Sequence, residues 1–388
     1  MSWDLTGALR DLESSGLRRR LRVLDTADGT RVTCQDRALR NFASNDYLGL
    51  SGSGFLRDAL ATAVQEWGAG AGASRLVTGT SRAHAALEEA LARFKGTEAA
   101  LTFSSGHATA LGTLPALVGR GDTILLDKLS HACLVDAARL SGATLRVFPH
   151  NHLGKLERLL QGAGGRVLII TESVFSMDGD CAPLREIVEL KDRHGAWLLV
   201  DEAHAVGVLG PQGRGLAAAL GLEGRIELQM GTLSKALGLS GGYLAAAQPV
   251  IDLLVNRARS FIYSTAPPPA LAAAATQALA WTAGPRGDAA RAQLHANLHR
   301  LASALAVEVP PAAILPVILG EEATALAAAE HLMQAGFLVP AIRYPTVARG
   351  SARLRVTLSA AHEAAEIDAL ASELRELIPA PRAGAGCH

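Results

Sequence analysis

The sequence predicts an α/β fold with a mainly parallel central sheet, followed by a smaller α+β unit, and three observations carry that expectation. Between about residues 97 and 245, short apolar β-rich runs alternate with longer helical patterns, as in repeated strand–helix units. After Ala266–Pro269 the alternation gives way to an alanine-rich helical stretch and a few separate apolar runs. At 388 residues, 49% of them hydrophobic, the chain exceeds the usual size of one domain. The expected division is an N-terminal helix and strand segment over 1–45, a large α/β domain over 46–280 and a smaller α+β domain over 281–380. The closing PAPRAGAGCH has little to bury, so 381–388 is expected to be a disordered tail.

Leu87, Leu91 and Phe94 recur at helical spacing, which predicts an amphipathic helix over Ala83–Phe94. Strands are predicted at Ala99–Phe103, Thr123–Leu126, Leu145–Phe148, Val167–Ile170, Trp197–Val200 and Leu228–Gly231. Later apolar runs fall at Ile314–Leu319, Phe337–Val339 and Leu354–Leu358. Gly336 is placed to end a helix begun near Glu322, and Ala361–Leu377 has the period of a closing helix.

Thirty-seven basic residues balance thirty-seven acidic ones, so no overall field favours nucleic acid, an anionic membrane or an acidic partner. A small-molecule substrate is expected. The first twenty residues lack the apolar run of a signal peptide, and no stretch reaches the length of a membrane span, which predicts a cytoplasmic protein. Cys34, Cys133, Cys181 and Cys387 are far apart, so no metal or redox pair is expected.

Ligands of parallel sheets bind at the carboxyl ends of the strands, which draws attention to Thr171, Glu172, Asp201 and Thr232 at the ends of apolar runs. The strongest signal is a pair: DEAH from Asp201, and GTLSKALG, with Lys235 among small residues. DEAH alone could belong to a nucleotide hydrolase, but the chain has no GxxxxGK[ST] phosphate loop. A buried carboxylate one strand from a lysine is what pyridoxal phosphate needs: the lysine binds the aldehyde, and the aspartate keeps the pyridine nitrogen protonated. The glycine-rich GAGAGAS from Gly68 imitates part of a dinucleotide fingerprint, but follows a helical pattern and reads as backbone freedom near a substrate entrance. A nicotinamide oxidoreductase is therefore the weaker enzyme alternative, and a catalytically inert structural protein the non-enzyme one.

With these stand NFASNDYLGLS from Asn41, SRLVTGTSRAHAALEEALARF from Ser74, DKLSHACLVDA from Asp127, TESVFSMDGDCAPL from Thr171 and RLRVTLSAAH from Arg353. Together they cover nearly the whole chain, which resembles the α-oxoamine synthase family of fold-type I pyridoxal-phosphate enzymes. The resemblance implies that Lys235, Asp201, His204 and His131 are catalytic. Lys235 would carry the cofactor, Asp201 pair with the ring nitrogen, His204 bond its phenolic oxygen and His131 stack on the ring. Alone, His204 would read as a core histidine and His131 as a turn residue.

Phosphate binding is expected from SSGHAT, where Gly106 and His107 open a helix whose free N–H groups suit an anion. His107 stands where the family usually has an aromatic residue, and Thr109 where asparagine is common; backbone donation survives both. The resemblance adds Thr232 at the phosphate, Ser176 near the phenolic oxygen, and Ser264 and Thr265 reaching the phosphate of a second subunit. A homodimer with shared active sites follows. Arg355 would clamp the amino-acid carboxylate with its bidentate fork, with Asn45 also on the substrate, while Arg353, on the same strand face, would be structural.

Family members differ in their amino acid and acyl thioester. The opening MSW, LRRR from Leu17, NFASNDYLGLS and VPAIRYPTV from Val339 resemble the branch that joins L-alanine to a pimeloyl thioester in biotin synthesis. Arg18 and Arg343 match acyl-binding positions there, although LRRR alone would read as a solvated basic face. Pairing of glycine with a succinyl or acetyl thioester, or of serine with a palmitoyl one, is the alternative. Coenzyme A and a carrier protein present the same thioester, and the sequence does not separate them.

Overall fold

The computed structural model describes residues 3–378, so the expected tail over 381–388, with Cys387, lies outside the described residues. In chain order the strands are β1 (Thr26–Asp28), β2 (Arg31–Cys34), β3 (Arg37–Asn41), β4 (Ala99–Phe103), β5 (Thr123–Asp127), β6 (Thr144–Phe148) and β7 (Val167–Glu172). They continue with β8 (Trp197–Asp201), β9 (Leu228–Thr232), β10 (Gly242–Ala246), β11 (Ile314–Gly320), β12 (Phe337–Leu338), β13 (Ala341–Ile342) and β14 (Ala352–Thr357).

The central sheet runs β4-β10-β9-β8-β7-β5-β6. Strands β6, β5, β7, β8 and β9 pair in parallel, and β10 runs antiparallel between β9 and β4. All six predicted strands of this sheet form, several with one or two more polar residues at the carboxyl end. Strand β10 was not among them because its Gly-Tyr-Leu-Ala-Ala is poor in β-branched residues. Small residues here answer close packing: a Cβ on Gly242 would lie 2.5 Å from the Gly106 nitrogen, and one on Gly231 of the neighbouring β9 would lie 2.4 Å from the hydroxyl of Tyr243 in β10.

Helices cover both faces of the sheet. One layer is exemplified by Leu114, Leu134 and Leu254 over Ile124 and Leu199, the other by Leu156, Ile187 and Val188 over Leu125 and Ile169, all buried. The predicted helix at Ala83–Phe94 spans Arg82–Lys95, with Leu87 and Leu91 buried. Its last residue, Lys95, is fully buried and bonds the Glu202 carboxylate and the Arg214 carbonyl.

Two further sheets form among the described residues, β1-β2-β3-β12 and β11-β14-β13. The apolar run predicted at Phe337–Val339 forms only β12, in the first of these sheets, and the residues just after it form β13 in the second. Pro340 has no N–H to give a ladder, so the chain leaves β12, parallel to β3, and re-enters as β13, antiparallel to β14. The helix Glu322–Gln334 ends just before Gly336, which has φ 90°. The closing helix begins at Ala364, later than Ala361, because Glu363 and Glu366 form a reciprocal cap, with the Glu363 N–H donating to Glu366 Oε2 at 3.1 Å.

Candidate active site

The parallel strands end on one edge, where Asp127, Glu172, Asp201 and Thr232 are all buried. There a cavity of about 240 Å³ is lined by Gly106, His107, His131, Asp201, His204, Thr232 and Lys235, seven of the predicted residues, together with Ser105, Cys133, Glu172 and Ser234. Lys235 sits in the turn after β9. Gly238, with φ 71°, folds that turn back: a Cβ there would come 2.7 Å from the Ser51 nitrogen.

Burial pushes the Lys235 amine down to about 8, against the attraction of Asp201 and Glu172. Asp201 is raised by burial, and Lys235 draws it back. Its Oδ1 accepts the Ala203 N–H at 2.9 Å, and no described residue bonds Oδ2. Glu172 Oε1 accepts the His131 N–H at 2.5 Å. Burial holds the His131 imidazole below its ordinary value, and pushes the Cys133 thiol up to about 12, so that thiol stays protonated.

A chain of contacts leads away from the lysine. Lys235 Nζ lies 2.6 Å from His204 Nε2, His204 Nδ1 lies 2.5 Å from the Tyr47 hydroxyl, and Tyr47 donates to Asn45 Oδ1 at 3.3 Å. Asn45 Oδ1 also accepts from Arg355 Nη1 at 3.1 Å. One proton arrangement satisfies every contact: Lys235 donates to Nε2, Nδ1–H donates to Tyr47, and Tyr47 donates to Asn45. Burial holds His204 well below its ordinary value, consistent with a neutral ring, and raises Tyr47 to about 12.

Asn45 and Arg355 thus reach the cavity through Tyr47 and His204. Arg355 Nε donates to the Ser176 carbonyl at 2.6 Å and Nη1 also donates to the Thr357 hydroxyl at 3.0 Å. Two of the three guanidinium nitrogens are engaged in these bonds, and the guanidinium also faces the Tyr47 hydroxyl, so the bidentate fork expected of Arg355 is not free as it stands. Arg353 pairs with Asp178 at 2.6 Å.

Ser176 is outside the cavity lining, as are Ser264 and Thr265, whose segment is tied by the Ser74–Thr265 bridge and the Ala266 N–H to Ala73 carbonyl bond of 2.9 Å. Arg18 and Arg343 line a separate groove of about 510 Å³ with Arg19, Arg20 and Arg22. Arg343 Nη2 donates to the Arg18 carbonyl at 3.4 Å, and Arg18 pairs with Glu13 at 2.8 Å.

Ser105 and Tyr47 were not singled out, and Glu172, marked as a strand-end residue at the ligand edge, was given no role of its own. Ser105 caps the helix Gly106–Leu117 by accepting the Ala108 N–H at 3.0 Å, a role its place before glycine could have signalled. Tyr47 gave no local signal, because its partner His204 lies 157 positions away. The Thr232 hydroxyl donates to the Gly241 carbonyl at 2.7 Å and sits 2.7 Å from Ser234 Oγ.

The aminotransferase class I and II model matches residues 38–374. An 8-amino-7-oxononanoate synthase from Herminiimonas arsenicoxydans is 47% identical over 380 residues, covering 96% of this chain and 98% of its own. The chain belongs to the 8-amino-7-oxononanoate synthase family. A second family member, from Anaeromyxobacter dehalogenans, is 50% identical over 394 residues, 99% of this chain and 98% of that protein. A serine palmitoyltransferase from S. paucimobilis, solved with PLP bound, superposes with a TM-score of 0.90 at 30% identity, over 96% of each chain. The 8-amino-7-oxononanoate synthase family consists of pyridoxal-phosphate-dependent acyltransferases, and its fold is the fold-type I transferase architecture expected from the sequence.

Proposed function

We infer that the protein condenses L-alanine with a pimeloyl thioester to 8-amino-7-oxononanoate, carbon dioxide and free thiol, a step of biotin biosynthesis, using pyridoxal phosphate. The observation that carries this reading is the cavity into which Lys235 and Asp201 open together, in a chain half identical to enzymes of that name.

The donor set fits the cofactor. Lys235 offers an amine for the aldehyde, and the free Oδ2 of Asp201 suits a protonated pyridine nitrogen. Gly106 and His107 would offer backbone N–H groups to the phosphate from the start of the helix, with the Ser105 and Thr232 hydroxyls beside them. His131 would lie against the ring, and His204 and Ser176 would serve its phenolic oxygen. Thr232 would turn its proton from the Gly241 carbonyl to do so.

When bound, the cofactor supplies an electron sink for the charge left as the alanine Cα–H bond, and later the carboxylate bond, is broken. Lys235, with its amine pushed down to about 8, takes the Cα proton near neutral pH and returns it after carbon dioxide leaves. Asp201 keeps a proton at the ring nitrogen. Arg355 holds the alanine carboxylate through Nη2, and Asn45 orients that guanidinium. Arg18 and Arg343 receive the far carboxylate of the acyl chain from the basic groove. Coenzyme A and a carrier protein both remain donors for this reading.

The functional unit is a homodimer. Ser264 and Thr265 lie outside their own cavity, next to Tyr263, which is 72% exposed, and reach the phosphate of the other subunit. Residues 46–280 form the cofactor domain and 281–380 the smaller one. The protein works in the cytoplasm, a compartment that suits the free thiols of Cys34, Cys133 and Cys181.

Thiol release by the purified, cofactor-loaded protein tests the reading. L-Alanine with pimeloyl-CoA is compared with glycine plus succinyl-CoA or acetyl-CoA, and with serine plus palmitoyl-CoA. Turnover chiefly with the first pair, abolished in Lys235→Ala, is expected; preference for another pair overturns the substrate assignment.

A further inference from the structure

Beside the cavity, a histidine ties the loop behind Arg355 to the end of the central sheet. His150 Nδ1 lies 3.1 Å from Asp127 Oδ1, and Nε2 lies 2.8 Å from Asp180 Oδ2. Both carboxylates only accept, so both ring nitrogens must donate, and His150 is an imidazolium. Burial alone would lower its pKa, but the bonds to Asp127 and Asp180 raise it to about 10. The ring also meets Phe175 edge-on, at 4.3 Å and 86°.

One end of this bridge is rigid. Asp127 closes β5, fully buried, and accepts the N–H groups of Leu129 and Asn151, each at 2.9 Å. The other end belongs to a tight loop closed by the Val174–Cys181 bridge and by Phe175 N–H to Asp180 carbonyl at 3.0 Å. Asn151 adds a donor to Asp180 Oδ2 and one to the Cys181 carbonyl, both at 3.1 Å. This loop presents the Ser176 carbonyl to Arg355 and the Asp178 carboxylate to Arg353.

We propose that His150 is a positioning residue for the amino-acid substrate: by clamping Asp180 to the end of β5 it fixes the 175–181 loop, and so the direction in which Arg355 presents Nη2. The proposal rests on the reading of Arg355 as the carboxylate clamp. No residue of the basic groove that holds Arg18 and Arg343 belongs to the loop, so the thioester is held independently of it.

Steady-state kinetics of the cofactor-loaded His150→Gln enzyme test it, with Asp180→Asn as a second variant and Arg355→Lys as the reference. His150→Gln is expected to raise the KM for L-alanine roughly ten- to hundredfold, the scale of loss from a small misplacement of a binding group. The KM for pimeloyl-CoA should stay within about twofold, and Asp180→Asn should act in the same direction. If Arg355→Lys raises the alanine KM while neither other variant does, the role of His150 is overturned and that of Arg355 stands. An unchanged alanine KM in Arg355→Lys overturns both, and equal rises for both substrates in His150→Gln overturn the positioning role. Should His150→Gln fail to accumulate, Asp180→Asn decides, since the Asp180 side chain is 43% exposed and its loss leaves the core intact.

Discussion

Glu172 and Asp201 are register partners at the ends of adjacent parallel strands, so two carboxyl groups are buried side by side at the cavity. Burial and then Asp201 push Glu172 up to about 8 from an ordinary 4.5. A carboxyl raised in the folded state lends stability that is complete below about 4.5 and is lost as pH rises through about 8. The melting temperature of the cofactor-free protein should therefore fall over this range more than that of Glu172→Gln, whose carbonyl still accepts the His131 N–H. Parallel curves for the two proteins would remove Glu172 as the titrating group.

Tyr47→Phe should destabilise the protein by about 1–3 kcal/mol, because a buried His204 Nδ1 then lacks its partner. Chemical denaturation reads this directly. A midpoint equal to that of the parent would mean that the Lys235–His204–Tyr47–Asn45 chain is not a unit.

Arg343→Ala should raise the KM for pimeloyl-CoA by roughly ten- to a hundredfold, the range of one lost charge-assisted bond, and leave that for L-alanine within about twofold. Equal losses for both substrates would count against its place in acyl binding.

Lys95→Ala strands the Glu202 carboxylate in the core next to Asp201, and breaking such a pair costs about 3–5 kcal/mol. Urea unfolding of the cofactor-free protein measures it. A loss below about 1 kcal/mol would show that water or a rotated Glu202 replaces the lysine.

The sheet was legible because buried parallel strands are continuous apolar runs, and the polar residue ending each run, such as Asp201 or Glu172, marks the ligand edge. Strand β10 was not, since its Gly242 answers a close approach of backbone, and its Tyr243 a close approach to Gly231 of β9, that only the folded chain reveals. Lys235 and Asp201 could be paired from sequence because both follow strands. The Tyr47–His204 contact and the bonds from Arg355 to Ser176 and Asn45 join residues 157 or more positions apart. The break at Pro340 was written in the sequence, but only the pairing partners show that it moves the chain from one sheet to another.

The pairing of β3 with β12 bears on how the protein is made. Strand β3 ends at Asn41 and its partner begins at Phe337, about 300 residues later. At roughly 5–20 residues per second, ribosomes need a quarter of a minute to a minute to supply that partner. Until then one edge of the N-terminal hairpin stays open, with Leu39 on it and no strand to cover its backbone groups. A later stretch of translation therefore closes an earlier stretch of chain, and a ribosome that stalls before Phe337 leaves a nascent protein whose cavity strands are complete but whose β2–β3 hairpin is a ready template for aggregation.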